Sequence, residues 1–137
     1  MYIVNVNAEK VMGKIKPVHG IENSPVVYGA SSQTAYWKKA GFPFARLHDT
    51  DYPRGPVVDI PRIFPDFKAD ENDPANYDFT FTDELIKALI GYGVEPYFRL
   101  GVTIENQCQI KAYRIHPPKD YGKWARICEH IVMKAMK

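Results

Sequence analysis

The sequence predicts an α/β fold built on a parallel sheet. Three observations carry that expectation: strand-like and helix-like stretches alternate three times, glycines stop the first two helical stretches, and no Gly-x-Gly-x-x-Gly follows the first strand. Tyr2, Val4 and Val6 alternate with Ile3, Asn5 and Asn7, a period of two that suggests a short half-exposed strand before Gly13. A second extended stretch runs through Ile15, Pro17 and Val18 to His19 and Gly20. It ends in a polar turn of Ile21, Glu22, Asn23, Ser24 and Pro25.

Ser31 and Ser32 then offer an N-cap, and Tyr36, Trp37 and Ala40 recur near helical spacing, so a helix from about Ser32 to Ala40 is expected, stopped by Gly41 with Pro43 behind it. Phe44 to Leu47 reads as the second strand, with Arg46 inside it and His48-Asp49 closing it. The segment from Thr50 to Tyr77 is polar and broken by Pro53, Pro56, Pro61, Pro65 and Pro74, which predicts a long irregular loop of functional or lid-like character. Leu85, Ile86, Leu89 and Ile90 share a helix face over about Thr82 to Tyr92, ended by Gly91 and Gly93. Val94 to Leu100 reads as the third strand. After a loop from Val102 to Pro118, Asp120 can cap a third helix carrying Trp124, Ile127, Cys128, Ile131 and Val132. Such alternation gives either an open doubly wound sheet or part of a barrel. Without any phosphate-cradling glycine loop, the nucleotide-binding version loses its main support.

Composition bounds the rest. At 137 residues, 45% hydrophobic and 13% aromatic with a net charge of +2, the chain is one domain with enough apolar residues for a core. Two cysteines, Cys108 and Cys128, exclude a disulfide framework and lack the spacing of a zinc or redox motif, so both are expected to be buried thiols. Charge is segregated: ten acids face three bases between Asp49 and Glu84, whereas seven bases face two acids from Lys111 to Lys137. The basic residues fall largely on one amphipathic helix, which reads as a solvated face, and nucleic acid is not an expected partner. No apolar run is long enough to cross a bilayer. Met1 to Lys10 has neither the basic start nor the apolar run of a secretory signal, and a signal already removed would leave the same picture, so localisation stays open.

In a parallel α/β barrel, chemistry sits beyond the carboxyl ends of the strands. Glu22 and Asn23, then Arg46, His48 and Asp49, then Arg99 and Glu105 fall there, whereas Glu95 opens its strand and belongs to the opposite end. His48-Asp49 fits hydrogen bonding to a ligand, acid/base work, a metal site or a capped turn, although two adjacent residues supply too few ligands for a metal. Arg46 and Arg99 lie in apolar strands and each calls for a carboxylate partner. Asp66, Asp70 and Asp73 lack the glycine and terminal Glu of an EF-hand loop, so no metal or cofactor is expected.

Several of these stretches together resemble glycoside hydrolase family 39, the β-xylosidase-like group. They are Phe44-Ala45-Arg46-Leu47-His48-Asp49, Asp59-Ile60 with Ile63-Phe64-Pro65-Asp66-Phe67, Asp73 to Phe79 with Thr82-Asp83, Tyr97 to Gly101 with Ile104-Glu105, and Pro117 to Asp120 with Trp124-Ala125 and Cys128-Glu129-His130. The resemblance covers most of the chain. It implies a partial (β/α)8 barrel over residues 1–137, about the first three strand-helix units of a fold that needs roughly 250 residues. It further implies retaining chemistry on β-linked sugars, for which two carboxyl groups stand about 5 Å apart.

In that family the acid/base Glu lies in an Asn-Glu dipeptide after the fourth strand and the nucleophile Glu after the seventh. No Asn-Glu dipeptide occurs here, so no catalytic residue is assigned and the chain alone is expected to be inactive. The resemblance leaves His48 and Asp49 as sugar-hydroxyl contacts, Arg46 and Arg99 as partners of active-site carboxylates, and Glu105 and Asn23 as neighbours. Tyr52, Phe64 and Tyr97 are candidates to stack on a sugar ring. An exposed sheet edge predicts self-association. The alternative reading is a non-catalytic carbohydrate-binding or interaction module.

Overall fold

The computed structural model describes residues 2–23, 33–47, 51–52, 55–56, 58–102 and 116–135. Strand β1 (Gly20–Glu22) is followed by helix α1 (Thr34–Ala40) and strand β2 (Phe44–Leu47). A two-stranded ribbon of β3 (Asp51–Tyr52) and β4 (Gly55–Pro56) leads to the single-turn helix α2 (Ile60–Ile63) and a 3-10 turn at Pro74–Asn76. Helix α3 (Thr80–Gly91), strand β5 (Glu95–Phe98) and helix α4 (Tyr121–Ala135) complete the order.

The main sheet runs β1-β2-β5 and both pairings are parallel. Its register places Glu22, Arg46 and Tyr97 in one row across the sheet. Because side chains alternate along a strand, that row shares one face with Gly20, Phe44 and Glu95, and the other face carries Ile21, Ala45, Leu47, Pro96 and Phe98. The helices pack on the second face. Trp37 of α1 and Leu85 and Leu89 of α3 close over Ala45, Leu47, Val58 and Val94. Ile127 and Ile131 of α4 close over Ile60, Ile63 and Phe64, and Phe98 packs against both clusters. The face bearing Glu22, Arg46 and Tyr97 has no helix on it among the described residues, and Tyr97 is 65% exposed.

Glycine matters at one turn in particular. Gly41 ends α1 in the left-handed region at φ 66°, where its N–H donates to Trp37 O and turns the chain into β2.

Four expectations are corrected by this structure. The alternating stretch Tyr2–Val6 forms no strand: among the described residues no neighbouring strand supplies hydrogen bonds to it, and Tyr2, Ile3, Val4 and Val6 stand exposed. The first sheet strand is instead Gly20–Glu22, residues that read as a turn; they extend because Asn23 N–H reaches Arg46 O at 2.8 Å, and Asn23 itself makes the turn at φ 67°. The first helix starts two residues later than its serines suggested, and Ser31 and Ser32 lie outside the described residues.

The fourth correction is the largest. The segment Thr50–Tyr77 is not simply a polar loop, since Val58, Asp59, Ile60, Ile63 and Phe64 are fully buried, Val58 in the first core cluster and Ile60, Ile63 and Phe64 in the second. Its polar residues tie it down: Asp66, Asp70 and Asp73 each accept a backbone N–H two residues on, at 2.9, 3.0 and 2.9 Å.

Candidate functional site

Parallel strands bring their carboxyl ends to one edge of the sheet, and that edge gathers part of the predicted set. Glu22 ends β1, Asn23 follows it, and Arg46 lies beside them one residue before the end of β2. Arg46 Nη1 donates to Glu22 Oε1, an ion pair on the open face with both side chains partly exposed. Tyr97 stands next in the same row. A cleft lined by Val18, Gly20, Ile21, Glu22, Phe44, Arg46 and Tyr97 runs over this face. It combines an aromatic ring with a cation and a carboxylate, the groups that a polyhydroxylated ligand needs for stacking and for donated and accepted hydrogen bonds.

Arg99 goes elsewhere. It lies just past β5, where Nη2 stands 3.4 Å from Asp59 Oδ1 and Nη1 donates to Val102 O at 2.7 Å. Ile60 N–H donates to Gly101 O at 3.0 Å, so the start of α2 is bound to the end of β5 by both backbone and side chain. The buried Nε of Arg99 has no acceptor among the described residues. Both arginines therefore have carboxylate partners, but only Arg99 is mostly buried; Arg46 lies partly exposed on the open face, and Arg99 stands just past the strand rather than inside it. Sequence alone did not name Glu22 and Asp59 as those partners, because sheet register and the placing of α2 decide the pairing. His48, Asp49 and Glu105 lie outside the described residues.

Of the three stacking candidates, Phe64 is corrected: it is fully buried, edge-on to Phe67 and tilted against Tyr77, and cannot reach a sugar. Tyr97 stays available, and the side chain of Tyr52 is outside the described set.

A second cleft, of about 640 Å³, opens beyond the end of β5 between Gly101-Val102, Phe67 and the first turn of α4. Its wall includes the stacked pair Phe67 and Trp124, with ring centroids 5.7 Å apart, and its rim carries Lys68, Lys119 and His116. Behind it Glu71 anchors α4. Arg126 donates to Glu71 Oε1, Lys123 lies 3.2 Å from Oε2, and Lys123 Nζ also donates to Ala69 O. A backbone N–H, the Arg126 guanidinium and the Lys123 ammonium hold the Glu71 carboxyl down at about 2, against the opposing effect of burial. Tyr77 O–H donates to Glu71 O at 2.7 Å, and burial together with the charges of Glu71 and Asp70 pushes its phenol upward. These groups hold the fold together and show no free acid/base pair.

Among the described residues no three His, Cys, Asp or Glu side chains come together to hold a metal ion, and no helix is long and apolar enough to cross a membrane. No protein-family model matches the chain, and no curated protein or solved structure matches it either.

Proposed function

We propose that this chain forms the sugar-facing front of a (β/α)8 glycoside hydrolase barrel of the family 39 type, acting on β-linked sugars such as xylosides. The observation that carries the reading is that, among the described residues, helices cover only one face of the sheet. In a doubly wound sheet helices cover both faces, whereas in a barrel every helix lies outside and the inner face is lined by side chains. Here α1, α3 and α4 share the face of Ala45, Leu47 and Phe98, and the other face presents Glu22, Arg46 and Tyr97. In this reading Arg46 with Glu22 and Asn23 orients the sugar, Tyr97 stacks on it, and His48, Asp49 and Glu105 add hydroxyl contacts. The role of Arg99 is to hold α2 against the strand end. The two catalytic carboxyls belong to later barrel strands, so this chain binds without cleaving.

The test is a titration of the isotope-labelled chain with xylotriose, followed by amide and side-chain NMR, beside an assay on an aryl β-xyloside. Saturable shifts at Arg46 and Tyr97, lost in Arg46→Met, with no aryl release, are expected. Shifts that are absent with every β-linked oligosaccharide overturn the reading.

A second reading, a carbohydrate-binding or interaction module that never cleaves, is favoured by the 65% exposure of Tyr97 beside an arginine-carboxylate pair, a platform that needs no catalytic group. Reading the gene beyond Lys137 separates the two. A fourth strand ending in Asn-Glu supports the hydrolase, and an immediate stop supports the module.

A further inference from the structure

The cleft on the open face holds one cation and one carboxylate, and the two neutralise each other. Of the residues lining this space of about 570 Å³, Glu22 and Arg46 carry charge, and the others are apolar, glycine or tyrosine. Sheet register sets the two side by side, and Arg46 Nη1 donates to Glu22 Oε1. The Arg46 guanidinium has no other partner among the described residues. Glu95, on the same face two residues before Tyr97, adds a second carboxylate and no cation. The cleft beyond β5 is the opposite case, with Lys68, Lys119 and Lys123 lining it against Asp120.

We propose that the pair of Glu22 and Arg46 makes the open-face site select neutral sugars over sugar acids, and that Glu22 is the residue that decides between them. The inference rests on the sugar-binding reading and adds to it the class of sugar. An arginine standing alone is a fork for a carboxylate, because two parallel N–H donors match its two oxygens. At Arg46 the charge is already matched by Glu22. A uronate entering the cleft meets a carboxylate as well as the guanidinium, so it gives up hydration for no net attraction. A hydroxyl group has no such conflict. It accepts from the remaining Arg46 N–H groups and donates to Glu22, while the ring stacks on Tyr97 in the next position of the same row.

Partial exposure of the pair sets the size of the effect. The Arg46 and Glu22 side chains are 41% and 60% exposed, so solvent screens both the attraction of one and the repulsion of the other. Discrimination of about threefold to fivefold follows, the range of exposed charge pairs. A complete barrel shifts the balance in the same direction, because the two carboxyl groups that retaining hydrolysis requires bring negative charge and no cation.

The test uses the full chain at neutral pH and low salt. The probes are the β-1,4-linked trimer of glucuronic acid and its methyl ester, which differ in charge and one methyl group on every ring, and xylotriose is the sugar control. Dissociation constants are read from NMR shifts at Arg46 and Tyr97. Wild type should bind the ester at least about threefold more tightly than the acid, and Glu22→Gln, which keeps an acceptor oxygen, should abolish or reverse that preference. A wild type that binds acid and ester alike, or a preference that survives Glu22→Gln, overturns the proposal. Glu22 is exposed at the end of β1, so the amide variant should keep the circular dichroism spectrum of wild type, and the wild-type comparison stands without it. Xylotriose separates the two levels of the argument. If it binds while acid and ester tie, charge selection alone fails; if neither xylotriose nor the ester shifts Arg46 and Tyr97, the sugar-binding reading falls and this inference falls with it.

Discussion

The Arg99 guanidinium lies 3.4 Å from the carboxylate of Asp59, a side chain with no exposed surface at the N-terminus of α2. Removing the cation takes the Arg99 guanidinium away from a buried carboxylate, whereas Asp59→Asn leaves Arg99 bonded to Val102 O and still partly hydrated. Arg99→Met is therefore expected to cost about 3 kcal/mol and Asp59→Asn clearly less. Urea unfolding reads both, and equal midpoints for Arg99→Met and wild type would show that the pair does not hold α2 to β5.

Glu71 gives a pH signature. Its carboxyl is held at about 2 in the folded protein, below its ordinary value of 4.5, so on acidification the unfolded chain takes up the proton first. Its stabilisation is complete above pH 4.5 and disappears as pH falls toward 2. Glu71→Gln should be less stable than wild type at neutral pH and converge with it near the bottom of that window. Asp78, lowered by hydrogen bonds from the Thr80 side chain and backbone, contributes a slope of the same sign, so Glu71→Gln reduces the acid sensitivity without abolishing it. Parallel stability-pH curves for the two proteins would contradict the assignment.

Why some parts of this fold were legible and others were not follows from where their determinants lie. Phe44–Leu47, α3 and α4 could be read from sequence because their burial pattern is local: alternation in the strand, and Leu85 with Leu89 or Ile127 with Ile131 one turn apart on the helices. Tyr2–Val6 has an equally clear pattern, yet a strand also needs an adjacent backbone, which no local pattern supplies. Prolines made the segment around Ile60 look like an open loop, although Pro61 sits in the first turn of α2, where its missing N–H costs nothing. For the site, the need of Arg46 and Arg99 for carboxylates was visible in the chain. The choice of Glu22 and Asp59 came from register.

Helix α4 begins at a cap that can be tested alone. Asp120 Oδ1 accepts the Lys123 N–H at 2.9 Å, and Asp120 O accepts Trp124 N–H at 3.1 Å. Asp120→Ala removes the first bond and should cost about 1 kcal/mol, whereas Asp120→Ser or Asp120→Asn should restore most of it. The rescue separates capping from charge, since neither replacement carries one. Thermal unfolding of the three variants measures it, and an alanine variant as stable as wild type would mean that the first turn of α4 draws nothing from the cap.

Cys128 reports on the docking of that same helix. It is half-buried and packs against the cluster of Ile60, Ile63, Phe64, Ile127 and Ile131, and burial pushes its thiol above the ordinary value of 9.0, with its backbone hydrogen bond opposing in part. Thiolate is the reactive form, so both the smaller thiolate fraction and the restricted access slow alkylation. At pH 8, iodoacetamide should label the Cys128 peptide of the native protein at least about tenfold more slowly than that of the urea-unfolded chain, as followed by mass spectrometry. Arg126→Ala with Lys123→Ala releases α4 from Glu71 and should bring the native rate toward the unfolded one. Equal rates in native and unfolded wild type would mean that α4 spends much of its time away from the Ile60–Phe64 cluster, and the ion pairs at Glu71 would then not be what anchors it.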